Sequence, residues 1–462
     1  MGTVVSAHKM SWLSIARLGL VQTALGAIVV LTTSTMNRVM VVELALPAIV
    51  PGFLVALHYG LQILRPRWGF GSDISLNRTP WIIAGMAVLA TGAVGAAAAI
   101  YVIDRFSVPI GIGLSVAAFC LIGIGVGATG TSLLALLASR VGEERRAPAA
   151  TIVWLMMIAG FAVTSIAVGS YLDPFTSGRL LAVTAVVSAL AFLVAVAAIW
   201  GVEARENARS PVVRAQTSSA KPPFKTALLE VWSEPKARRF TIFIFVSMLA
   251  YSMQDLILEP YAGLVFGLTP GASTKLSGVQ HSGVFAGMLF VALAANPKFG
   301  FGELRTWVVG GCVASAIALL SLVFSAVMGP AWPLRASVFA LGVTNGAYAV
   351  AAIGSMMGLA ASGRNSREGV RMGIWGAAQA VAFGIGGFTG TLAVDVMRKI
   401  VTVPATAYAT VFIFEAVLFL VAAGLALRCI DFKSDTTPTQ PMPVSPGRLA
   451  PGLAPGLAIE LS

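Results

Sequence analysis

Charge is scarce in this chain: 11% of its 462 residues are Asp, Glu, Lys or Arg, against 57% hydrophobic. A soluble domain could not hide that much apolar surface in one core, so the excess must face lipid. Cysteine is scarcer still. Cys120, Cys312 and Cys429 have no paired spacing, which excludes a disulfide framework or zinc site and leaves them as small packing residues. Histidine is limited to His8, His58 and His281. No nucleophile stands with a base and an orienting group, and no metal-ligand cluster is legible, so the chain reads as a non-enzyme. A cleavable signal peptide is also missing; the first apolar run is expected to act as its own insertion signal.

What the chain does have is apolar runs of helical length. A spanning helix needs roughly 20 apolar residues to cross about 30 Å of hydrocarbon. Breaks at charge, Pro and Gly predict twelve spans near 17–36, 44–64, 80–102, 108–138, 149–171, 180–200, 240–266, 276–295, 306–327, 335–360, 372–397 and 405–428. The fold class is therefore an all-α membrane protein of twelve transmembrane helices. Most of the 31 Lys and Arg residues fall on the face shared by both termini, which predicts cytoplasmic ends. The net charge of +12 is spread over short loops, as topology signals and contacts to anionic lipid, and gives no stripe for nucleic acid.

The order of segments predicts an N-terminal six-helix bundle over 1–200, a basic cytoplasmic linker over 201–238 and a C-terminal six-helix bundle over 239–430. Residues 431–462 carry Pro438, Pro441, Pro443 and Pro446, cannot hold a continuous helix, and are expected to form a disordered cytoplasmic tail. The two bundles look duplicated. Pro66-Arg67-Trp68-Gly69-Phe70-Gly71-Ser72-Asp73 after the second span matches Pro297-Lys298-Phe299-Gly300-Phe301-Gly302-Glu303 after the eighth. Ala138-Ser139-Arg140 through Arg146 resembles Ala361-Ser362-Gly363-Arg364 through Arg371, at about the same offset.

Gly69, Asp73 and Arg78 resemble the signature loop of the major facilitator superfamily, whose carboxylate and guanidinium latch neighbouring helix ends across the cytoplasmic seam. Ile74 and Asn77 depart from that pattern, which implies a weaker latch. Two further stretches narrow the resemblance: Met36-Asn37-Arg38-Val39-Met40-Val41-Val42-Glu43-Leu44, and Gln254-Asp255-Leu256-Ile257-Leu258-Glu259-Pro260-Tyr261. With the Gly-Phe-Gly-Ser-Asp loop, they resemble the PucC/LhaA family, the photosynthetic-bacterial branch of that superfamily, over residues 11 to 430. The resemblance implies two pseudo-symmetric six-helix bundles in a bacterial inner (intracytoplasmic) membrane. It also implies a role in assembling light-harvesting complex 1 or 2 of purple bacteria, by delivering bacteriochlorophyll or by shepherding antenna polypeptides.

Those stretches place Asn37, Arg38, Glu43, Gln254, Asp255 and Glu259 at or inside bilayer depth, where an ionisable group costs about 2.5–3.5 kcal/mol on insertion scales. They serve either helix packing, as an Arg38–Glu43 pair at the outer helix end and an Asp255–Glu259 face near the seam, or a ligand or proton. Bacteriochlorophyll asks for one imidazole on its magnesium and apolar contact elsewhere, so His58 and His281 are candidate ligands, one near each leaflet. Gly125-Val126-Gly127-Ala128-Thr129-Gly130 spells a dinucleotide fingerprint, but no strand precedes it; close helix packing accounts for it. Two other activities stay open: a proton-coupled secondary transporter of an amphiphilic small molecule, titrating at Glu43, Asp255 or Glu259, and a static scaffold.

Overall fold

The computed structural model of the chain describes residues 10–65, 68, 77–203, 232–295, 302–361 and 368–429. His8, Gly69, Asp73, most of the linker, the matching loop at 296–301 and the tail lie outside them.

Among the described residues twelve helices make the fold: α1 Trp12–Glu43, α2 Ile49–Leu64, α3 Thr79–Arg105, α4 Val108–Arg140, α5 Glu143–Gly169 and α6 Ser177–Ile199, then α7 Pro235–Phe266, α8 Pro270–Ala294, α9 Leu304–Met328, α10 Leu334–Ala361, α11 Glu368–Ile400 and α12 Pro404–Cys429. Eleven of them are long and apolar enough to cross a membrane, and α2 is the shorter twelfth. The chain is a multi-span membrane protein.

Each span predicted from the sequence has its helix, with shifted ends. α1 starts at Trp12 because Ser11 caps it, accepting from Ser14 N at 3.1 Å. It then runs through Arg38 to Glu43, with Leu31–Thr35 and Val39–Glu43 wound as π-helix. α8 starts at Pro270, six residues before the expected end, because Thr269 caps it and Pro is tolerated in the first turn. α7 stops at Gly267, whose φ of +64° is the left-handed conformation that closes a helix with least strain.

Short contacts fix which ends share a face. The Arg17 guanidinium donates to Ala198 O at 2.9 Å and Trp200 O at 2.5 Å, so α1 begins where α6 ends. Arg305 donates to Leu427 O at 2.7 Å, so α9 begins where α12 ends. We call this the chain-end face and the other the opposite face. Arg78, the described member of the expected latch, begins α3: its N–H and those of Thr79 are capped by Glu203 at 2.9–3.0 Å.

One apolar core fills the first half, from Met10 to Val202, and Leu256 of α7 joins it; a second fills the other half, from Phe240 to Cys429. The seam between halves is made by α5 along α8 and α2 along α11, with α1 against α7. Small residues let helices approach within each half: a Cβ at Gly125 would meet the Leu89 backbone, and one at Gly390 the Met253 backbone. Gly125 of the apparent dinucleotide fingerprint is thus a packing glycine between α3 and α4.

Candidate functional site

Of the polar residues expected at bilayer depth, Asn37, Arg38, Glu43 and Glu259 come together where α1 meets α7, beside α8. Pro260 stands inside α7 and has no N–H, so the carbonyl four residues back, Leu256 O, loses its helical donor. Asn37 of α1 supplies one, Nδ2 donating at 2.5 Å. One turn away Ser34 donates to Glu259 Oε1 at 2.5 Å, and its hydroxyl lies 3.2 Å from that of Ser277 on α8. Arg38, 2% exposed, pairs with Glu43 on its own helix and donates to Leu268 O at 2.7 Å, just past the end of α7. Gly263 makes room for the guanidinium, since a Cβ there would lie 3.1 Å from it.

The two acids of α7 look in different directions. Glu259 faces α1 and α8, whereas Asp255 lies within electrostatic reach of Tyr59 of α2, Tyr251 and Glu415 of α12. Tyr59 and Tyr251 both pack on Phe383 of α11, at ring separations of 5.5 and 5.7 Å. The expected Asp255–Glu259 face is therefore divided between two neighbourhoods. Gln254 is fully buried, and neither end of its amide is hydrogen-bonded among the described residues.

The two membrane histidines, alike in the sequence, differ here. His58 is 1% exposed and its Nε2 lies 3.2 Å from Gln62 Nε2, an amide that can only donate; Nδ1 is buried without a partner among the described residues. The helix backbone at His58 also lies against Gly123 of α4. No nitrogen of this ring is open to a large ligand. His281 is partly exposed, and its Nδ1 lies 2.8 Å from Ser277 O, a carbonyl that can only accept. Nδ1 therefore carries the proton and Nε2 presents a lone pair, with no hydrogen bond to it among the described residues. Phe161 of α5 meets the ring edge-on at 5.0 Å, so His281 stands on the seam between halves. Because α8 begins at Pro270, His281 lies near mid-helix and not near the start of its span, where the sequence boundary at 276 had put it.

Sequence reading missed Glu415. It is wholly buried in α12, and neither carboxylate oxygen has a hydrogen-bond partner among the described residues. The signal was present: one acid amid Phe412-Ile413-Phe414-Glu415-Ala416-Val417, in mid-span. An unpaired buried carboxyl destabilises, so Glu415→Met is expected to raise stability by about 1–3 kcal/mol. Thermal unfolding in detergent checks this; a lowered midpoint would mean that the carboxyl has a partner it needs.

The family model described as PUCC protein matches residues 35–433, which include the second core, most of the first and the polar cluster apart from Ser34. The chain belongs to the PUCC protein family. Among relatives, it is 54% identical over 421 residues to the "Bacteriochlorophyll synthase 44.5 kDa chain" of Rhodobacter capsulatus, covering 90% of this chain and 95% of that one. It is 30% identical over 443 residues to "Protein PucC" of the same organism, covering 92% and 93%. Its fold is that of major facilitator transporters. A D-xylose-proton symporter superposes with a TM-score of 0.68 at 12% identity, covering 90% of this chain and 97% of that one. A bacterial homologue of the lysosomal transporter Spinster, inward-facing and unoccupied, gives 0.65 at 14%, covering 90% and 96%. At those identities the likeness concerns the fold alone, so this PUCC protein shares the transporters' framework and not, on that ground, their cargo.

Proposed function

We propose that this PUCC protein is an assembly factor for light-harvesting antenna complexes in a photosynthetic bacterium, binding bacteriochlorophyll, antenna polypeptides or both within the inner membrane. The observation that carries the reading is His281: a neutral imidazole fixed through Nδ1, with Nε2 making no hydrogen bond among the described residues, on the seam near mid-helix. Its relatives' names support the choice of ligand. A tetrapyrrole magnesium asks for one such nitrogen, and Phe161 and the apolar seam around Ile158, Val284 and Met288 suit a macrocycle. His281 is preferred to His58, whose Nε2 is already engaged by Gln62.

In this reading both termini are cytoplasmic, residues 1–200 and 239–430 act as two bundles, and Gly69, Asp73 and Arg78 latch the cytoplasmic side. The chain performs no covalent chemistry: it presents cargo to antenna helices or to a pigment enzyme. The name of the 54% identical relative makes that worth testing directly. Purification from photosynthetic membranes in mild detergent is expected to bring down pigment or single-span antenna subunits, for complex 1 or 2. A colourless protein without such partners would refute the proposal.

A second reading has its own support. Asp255, Glu259 and Glu415 are three carboxyls inside the bundle, as a proton-coupled transporter of an amphiphilic molecule would use. If pH-driven uptake into vesicles occurs and Glu259→Gln abolishes it, transport replaces assembly as the activity.

A further inference from the structure

Two aspartates that the sequence gives no reason to pair make the same contact in mirrored roles. Asp173 follows α5; its Oδ1 accepts from Gly271 N at 3.1 Å and its Oδ2 from Thr269 Oγ1 at 2.7 Å, at the first turn of α8. Asp395 lies on α11; its Oδ1 accepts from Ala48 N at 3.1 Å and its Oδ2 from Ile49 N at 2.8 Å, at the first turn of α2. The first half thus gives a carboxylate to the second, and the second gives one back. Asp173 and Asp395 stand 222 positions apart, and Ala48 and Gly271 stand 223 apart, so the duplication relates both members of each contact. The adjoining layer repeats the exchange: Gly169 lies against Lys275, and Gly52 against Thr391, at the same two spacings.

We propose that Asp173 and Asp395 are a pseudo-two-fold pair of clamps that hold the halves closed on the opposite face, and that their release lets the bundle open toward that face. The physical basis is the start of a helix. Its first N–H groups have no partner within the helix and carry partial positive charge, so a carboxylate from the other half satisfies both needs at once. Each clamp is a short-ranged polar contact that is lost over a small separation, which makes it a switchable contact. Deeper along the seam the described contacts are apolar, as Ile158 against Val284 and Met288 and Tyr59 against Phe383 show, so the clamps are polar contacts at one end of it.

The test is distance measurement by pulsed electron paramagnetic resonance on the full chain in lipid nanodiscs, with Cys120, Cys312 and Cys429 replaced by Ala. Spin labels at Thr176→Cys and Thr402→Cys report the opposite face, and labels at Leu13→Cys and Lys236→Cys report the chain-end face. In the double variant Asp173→Ala and Asp395→Ala, the longer-distance population of the first pair is expected to rise about fivefold or more, while the second pair does not lengthen. Asp173→Asn with Asp395→Asn keeps an acceptor and is expected to give a smaller rise; it decides the matter if the Ala form loses its helicity. An unchanged first pair in every folded double variant would overturn the proposal, as would equal lengthening of both pairs, which is loosening and not opening.

Discussion

If His281 holds the pigment as proposed, replacing it by Ala is expected to cut the bacteriochlorophyll that co-purifies with this PUCC protein by roughly tenfold or more, since His281 would supply the nitrogen for its magnesium. The absorption spectrum of the purified protein, normalised to protein mass, reads this directly. His58→Ala is expected to behave differently. It removes a buried ring that meets Gln62 and packs edge-on against Tyr59, so it should keep the pigment and lower thermal stability by about 2–4 kcal/mol through the cavity left behind. The reverse pattern, with His58→Ala colourless and His281→Ala coloured, would move the site to the α2–α4 contact and away from the seam.

Arg38→Ala is expected to destabilise by about 3–5 kcal/mol, read as a lowered thermal midpoint in detergent. The guanidinium is almost fully buried and ties the end of α1 both to Glu43 and to Leu268 O beyond α7. Its loss leaves a cavity beside Gly263 and a carbonyl without its donor. Glu43→Gln should also destabilise, by leaving the buried cation with neutral acceptors and no counter-charge. An apolar pair, Arg38→Met with Glu43→Leu, should recover more than half of the loss, because no unpaired charge then remains. If Arg38→Ala were as stable as the parent, the packing role of this cluster would fall.

Much of the fold was legible because lipid imposes one rule, a run of about twenty apolar residues per crossing. Where the sequence misplaced a boundary, a charge was the reason. Arg38 and Glu43 read as ending the first helix near residue 36, yet they pair with each other and the helix continues to Glu43. Lys275 read as preceding the eighth helix, although Thr269 and Pro270 start it earlier, and His281 moved toward mid-helix as a result. The polar cluster was half legible. Pro260 announces an orphaned carbonyl on Leu256, but nothing in the sequence names Asn37, more than two hundred residues away, as the side chain that fills it. Asp173 and Asp395 were invisible for a similar reason: three of their four donors are backbone N–H groups, which every residue type but proline carries.

The histidines carry the same lesson in the other direction. Composition makes His58 and His281 equivalent, and only the second ring nitrogen separates them. In one ring it is covered by Gln62, and in the other it is left open by the carbonyl of Ser277. A transporter framework with an open imidazole on its seam is the physical content of the assembly reading; the acids at 255, 259 and 415 are the content of its rival.

The most direct test is the near-infrared absorption of whole membranes from a strain in which this gene is deleted. The account expects specific loss of antenna bands, restored by the parent gene and not by one encoding His281→Ala. Antenna bands of unchanged height in the deletion strain would contradict it.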